Sequence, residues 1–218
     1  MKERPILFSA PMVRAILAGT KTQTRRVVNL PADAKHVCYW APPSGRSESG
    51  YADPGVNYWT PDPAGETDSN HLCPCPYGQP GDRLWVREAF SGPWCMEAQD
   101  GMAAVPPSKW GESSRVWYWA DGDPTYGDWT KPRPSIHMPR WASRILLEVI
   151  AVRVERLQDI SEADAVAEGV DFAGHTDEIM HDYSPDERFS MLWESINGAG
   201  SWNENPWVWV VEFRRVEA

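Results

Sequence analysis

APMVRAILAGTKTQTRRVV, residues 10–28, is the stretch around which the rest of the chain is organised. Pro11 suits the first turn of a helix, and Met12, Ile16 and Leu17 recur at helical spacing. Gly19 predicts its end, since glycine takes the left-handed cap conformation at little cost. Thr20 to Arg26 then packs three cations (Lys21, Arg25, Arg26) and three threonines (Thr20, Thr22, Thr24) into seven residues. Val27 and Val28 read as the start of a strand. Two readings of the basic turn are open. Either it is solvated, its cations complementing the helix dipole, or it sets Lys, Thr and Arg around one pocket.

The chain has 218 residues and a formal net charge of −10. That length fits one domain carrying insertions or one and a half domains, and an apolar content of 42% can fill a core. No run reaches transmembrane length. The opening MKERPILFSAPM lacks the features of a signal peptide, which predicts a cytoplasmic protein with no membrane partner. An acidic chain is a poor candidate for avid duplex binding, which depends on neutralising phosphates. The charge is uneven, however: residues 1–28 hold six Lys/Arg and one acid, whereas residues 159–187 hold ten acids and no Lys/Arg. A basic pocket on an acidic body suits a small polar or anionic ligand, while a solvated acidic face is the plain alternative. The expected state is a monomer.

Pro5 to Ser9 is a short apolar strand candidate. Residues 29–80 are rich in Pro, Gly, Ser and Asp and read as a long irregular insertion, parts of which pack through Tyr39, Trp40, Tyr51, Tyr58 and Trp59. Pro80-Gly81-Asp82 is a turn. RLWVREAF, Arg83 to Phe90, follows as a strand with Leu84 and Val86 on one face and Trp85 and Arg87 on the other. Glu88 belongs with the first face. Residues 91–135 form a second insertion, with a strand candidate at Arg115 to Ala120. SRILLEVIAVRVER, Ser143 to Arg156, is β-branched and apolar on both sides, which favours one long or bent strand. Leu157 to Val170 reads as a helix capped by Ser161 and ended by Gly169. Pro185 to Ile196 is another, with Phe189, Leu192 and Trp193 towards the core. Trp207 to Arg214 is the closing strand.

The motif GTKTQTRR resembles the signature of the ASCH domain, Gly-x-Lys-x-x-(Glu or Thr)-x-Arg, at Gly19, Lys21, Thr24 and Arg26. The turn at Pro80-Gly81-Asp82 with its apolar strand is similar to another recurring feature of that family. The resemblance covers about residues 5–28, 80–90 and 143–214. It implies an α+β fold: one PUA-like β-barrel over residues 1–218, with flanking helices and two long loop insertions at about 29–80 and 91–135. With Thr at position 24 the motif resembles the bacterial N4-acetylcytidine amidohydrolases of the family. The overall layout is also similar to phage and prophage ASCH-domain proteins. LQDISEADAVAEGV aligns without a gap to the helix that carries the essential glutamate of the amidohydrolases, at Glu168.

The resemblance implies a catalytic set of Lys21, Thr24 and Glu168. A hydroxyl is inert until a base takes its proton, and lysine is a base only if its pKa falls. Arg25 and Arg26 push the Lys21 pKa down, whereas a Glu168 ion pair pulls it up. Arg26, Arg25, Arg87 and Trp85 are the candidate substrate contacts, with Trp119 and Trp209 as further stacking candidates beside a core role. The implied reaction hydrolyses the N4 amide of an acylated cytosine or cytidine, without a cofactor. Two further classes follow from the family, a noncatalytic RNA or modified-nucleotide reader and a ribonuclease-like activity. Cys73-Pro-Cys75 with Cys38 and His71 is a weak zinc pattern, because one intervening residue is fewer than zinc ligands usually have. Free thiols and no metal are the expectation.

Overall fold

The computed structural model describes residues 1–29, 36–39, 56–60, 71–111, 115–170 and 182–216. It is a mixed α+β structure with a mostly sheet core. The chain begins with strand β1 (Glu3–Leu7), enters helix α1 (Ala10–Leu17) and returns as β2 (Gln23–Val27). Pro lies in the first turn of α1, and Val13, Ala15 and Ile16 form its buried stripe. Gly19 has φ +77°, as its place behind the helix predicts. The strand starts at Gln23, earlier than Val27. The Thr24-Arg25-Arg26 motif therefore lies within a strand, because β2 zips against the closing strand along its whole length.

The first insertion is not wholly irregular. It carries β3 (His36–Tyr39), β4 (Val56–Thr60) and β5 (His71–Pro74), paired antiparallel in that order. Each strand is four or five residues long, so the Pro, Gly and Ser around it dominate any sequence window. Trp40 and Tyr51 lie outside the described residues. The Pro80-Gly81-Asp82 turn forms as expected, with Gly81 at φ +88°. Asp82 Oδ1 accepts from the Lys2 backbone N–H at 2.7 Å. Strand β6 (Arg83–Arg87) then pairs parallel with β1. In the second insertion β7 (Phe90–Ser91) pairs antiparallel with β8 (Trp117–Tyr118), and isolated bridges join Phe90 to Arg133 and Pro93 to Trp129. A satellite core of Phe90, Trp110, Met138 and Ala142 holds it.

The long strand β9 (Leu146–Arg156) is bent, as its two-sided apolar pattern suggests. Its register with the last strand slips between Glu212 and Phe213, so Ile150 is left out of the ladder. The buried set changes from Leu147 and Val149 to Val152 across that bulge. Helix α2 (Glu162–Ala167) is shorter than the sequence predicts, because Leu157–Asp159 forms a separate 3-10 turn. Ser161 caps it, accepting from the Asp164 N–H at 3.1 Å. Helix α3 (Pro185–Asn197) opens with a capping box of Ser184 and Glu187.

Strand β10 (Trp207–Arg215) is central and buried on both faces. Trp209, Val211 and Phe213 join the core under α1, whereas Val208 and Val210 pack with Phe189 and Trp193 of α3. The main sheet runs β1-β6-β9-β10-β2. No β1–β2 ladder closes it among the described residues. The gap between those two edges is bridged instead by α1 and by Arg26, whose Nη2 donates to the Leu7 carbonyl at 2.7 Å.

Candidate active site

The basic segment is bound by its backbone to both neighbouring helices. The Thr20 N–H donates to the Ala15 carbonyl and the Thr22 N–H to the Ala167 carbonyl, each at 2.9 Å. This brings Lys21 against the C-terminal end of α2. Gly169 (φ +81°) makes the approach possible: a Cβ there would lie 3.1 Å from the Cβ atoms of both Ala15 and Lys21.

Lys21 is 2% exposed. Its Nζ donates to Glu168 Oε2 and to the Glu168 carbonyl, both at 2.7 Å. Glu168 caps the C-terminus of α2, where the helix dipole disfavours a carboxylate. Lys21 and Arg25 offset that cost, Arg25 Nη1 reaching Glu168 Oε1 at 3.3 Å. Burial depresses the Lys21 pKa below the ordinary lysine value, Glu168 opposes the shift, and Arg26 and Arg25 add to it. The balance left open by sequence falls on the depressed side.

The Arg25 side chain has no solvent exposure. Its guanidinium bonds Glu155, Asp164 Oδ2 at 3.2 Å and Glu168, over the ring of Phe189. Arg153 closes the network onto Glu155, Asp164 and Glu212. An unpaired buried guanidinium is costly, and this cage removes the cost. Arg25 is thus paired with carboxylates of its own chain. Arg26 differs. It stacks over Phe8 at 5.4 Å and uses Nη2 on Leu7, with no partner to its other nitrogens among the described residues.

A narrow cavity of about 60 Å3 lies beside β2, several times what one water molecule needs. Thr24, Arg25, Arg26 and Val27 line it, with Met12 of α1, Glu168, and Phe189, Leu192, Trp193, Ile196 and Asn197 of α3. Thr24 is 2% exposed, and its hydroxyl makes no hydrogen bond among the described residues. Sequence reading turned Phe189 and Trp193 wholly towards the core, and the amphipathic period could not reveal that one helix face serves core and cavity together.

The other candidates lie elsewhere. Trp85 is stacked beneath Arg87 at 5.3 Å and Arg140 at 5.9 Å, away from the buried face of β6. Arg87 also donates to the Ile136 carbonyl. Neither residue lines the cavity. Replacing both by alanine is expected to lower the melting temperature and to leave turnover per folded molecule unchanged. Calorimetry beside an activity assay checks this. Trp209 is 1% exposed and belongs to the core. Trp119 lines a larger open groove of about 680 Å3 in the second insertion, with Trp94, Trp129 and Asp128. That groove shares no residue with the first, and its Thr130 hydroxyl accepts from the Gly92 N–H; the smaller cavity holds Thr24 together with Glu168, the partner of Lys21, and is the candidate site. Glu88 is held by Arg144 at 2.9 and 3.0 Å, and burial raises its pKa.

Cys75 is a buried reduced thiol in the core and Cys95 is exposed. Cys38 lies on β3 and Cys73 on β5, with their side chains and that of His71 outside the described residues. No cluster of three potential metal ligands occurs among the described residues. Nor is any described helix long and apolar enough to cross a membrane. The chain matches no family model, no curated protein and no solved structure.

Proposed function

We propose that the cavity hydrolyses the N4 amide of an acylated cytosine or cytidine, and that the chain is a PUA-like, ASCH-type barrel closed at the β1–β2 gap by α1. One observation carries the reading: the buried Lys21–Glu168 pair, with its depressed lysine pKa, reaches through Glu168 the same cavity that Thr24 lines.

The chemistry follows from the donors. A neutral Lys21 has two N–H bonds, matched by Glu168 Oε2 and the Glu168 carbonyl. Its lone pair remains for the Thr24 proton. Thr24 Oγ1 then attacks the acyl carbon, and the uncommitted N–H groups of Arg26 stabilise the oxyanion. Collapse breaks the C–N4 bond. The departing nitrogen takes the proton from Lys21, giving cytidine and an acyl-threonine ester. Water, deprotonated by Lys21, hydrolyses the ester to the carboxylic acid and frees Thr24. Glu168 holds the amine in place throughout.

The test is incubation with N4-acylated cytosines and cytidines, measuring released base and acid. Binding of cytidine without release would mark a reader instead of an enzyme. The pH profile tests the base. Turnover needs the neutral amine, so it is expected to rise with pH up to the Lys21 pKa, below the ordinary lysine value. Lys21→Arg keeps the charge but not a titratable amine, and is expected to lose turnover as fully as Lys21→Ala. Near-normal turnover in Lys21→Arg would end the lysine-base mechanism.

A further inference from the structure

Four consecutive residues, Thr24 to Val27, line the cavity. Side chains of a strand alternate between faces, so a cavity that touches all four lies along the strand's edge. β2 is an edge strand with β10 on its other side. The register settles which backbone groups face which way. The Phe213 N–H donates to the Thr22 carbonyl at 2.8 Å and the Val28 N–H to the Trp207 carbonyl at 2.9 Å. Both pairs fit the single register that sets Thr24 opposite Val211 and Arg26 opposite Trp209. Hydrogen-bonded and non-bonded residues alternate in an antiparallel pair. Thr22, Thr24, Arg26 and Val28 thus bond β10, while Arg25 and Val27 turn their backbone groups outward, where no described residue pairs with them. A second unpaired group adjoins them: Trp193 is 6% exposed, lines the cavity, and its buried indole N–H has no partner among the described residues.

We propose that the open edge of β2 reads the pairing edge of a cytosine, the Arg25 carbonyl accepting from N4–H and the Val27 N–H donating to N3, with the Trp193 indole N–H donating to O2. This rests on the reading of the cavity as a site for an N4-acylated cytosine and adds how the base is told from its relatives. The outward carbonyl of residue i and the outward N–H of residue i+2 form an acceptor–donor pair, which complements the donor–acceptor pair of cytosine. Uracil presents the reverse pattern at N3 and O4, so it meets carbonyl with carbonyl and N–H with N–H. Thr24 and Glu168 adjoin the Arg25 end, where N4 and its acyl group lie.

The experiment measures dissociation constants of cytidine, 3-deazacytidine and uridine for wild type, Val27→Pro and Val27→Ala. Proline removes only the outward N–H and is tolerated on a strand edge; alanine keeps that N–H. Wild type and Val27→Ala are expected to prefer cytidine over 3-deazacytidine by about tenfold, the worth of one hydrogen bond, and Val27→Pro to show no preference. Trp193→Phe is expected to weaken both ligands equally, because both retain O2. Equal binding of cytidine and 3-deazacytidine by wild type, or an unchanged preference in folded Val27→Pro, would overturn the proposal. The wild-type comparison decides even if the proline variant fails to fold. Turnover of N4-acetylcytidine, followed in parallel, separates the two ideas. Turnover without the cytidine preference removes edge recognition alone. The preference without turnover removes the deacylation reading alone, and the loss of both removes both.

Discussion

Thr24→Ala is expected to abolish deacylation while the protein stays folded and still binds cytidine. The hydroxyl is the proposed nucleophile, and loss of a nucleophile that acts with its base as a unit costs about a thousandfold in turnover or more. Binding survives because Thr24 turns its backbone groups to β10 and leaves the cavity edge to Arg25 and Val27. Stability changes little. The hydroxyl has no hydrogen bond to lose among the described residues, and deleting one buried methyl costs on the order of 1 kcal/mol. Thr24→Ser retains a hydroxyl and is expected to keep part of the rate. The measurements are single-turnover release of acid, cytidine titration and denaturant unfolding for each variant. Full turnover in folded Thr24→Ala would remove the nucleophile from the scheme. Loss of binding in step with turnover would make Thr24 a contact and not a nucleophile.

The set Lys21, Thr24 and Glu168 was legible because a short motif carries two of its members and an ungapped helix carries the third. The structure brings Lys21 and Glu168 into contact across 147 residues of sequence, and puts Glu168 and Thr24 on one cavity. Arg25 shows where such reading stops. Its position in a basic run resembles that of Arg26, and only the tertiary fold reveals three carboxylates, 130 to 143 residues away, that enclose one and not the other. The outer face of β6 misleads in a related way. Trp85 and Arg87 alternate against Leu84 and Val86 as expected, yet they face Arg140 and Ile136 and not the cavity. The unpaired edge of β2 was not legible at all. A strand's free edge depends on which partner it lacks, and the sequence placed the strand's start four residues too late for the question to arise.

Glu168→Gln is expected to cost about 3–5 kcal/mol of stability at neutral pH, since it removes one partner of a buried pair and leaves the other uncompensated. Arg25 retains Glu155 and Asp164, so the loss falls mainly on Lys21. Lysine has an escape that arginine lacks: it can give up its proton. Glu168 is what holds the Lys21 pKa up against burial, so the variant's native lysine titrates lower still. Between that native value and the ordinary lysine value, the unfolded chain holds a proton that the native state does not. Stability then rises with pH through that window. The difference from wild type should therefore narrow as pH rises from the variant's native lysine value to the wild-type one, above which both proteins change alike, read from urea unfolding at several pH values. Lys21→Met combined with Glu168→Gln should cost less than the sum of the single changes, because the second removal relieves the uncompensated charge left by the first. Turnover per folded molecule should fall in Glu168→Gln as well, since the neutral amine loses the carboxylate that orients it. Additive losses with no pH dependence would mean that Lys21 and Glu168 share no proton economy, and the pair would then be a packing contact beside a site that uses neither.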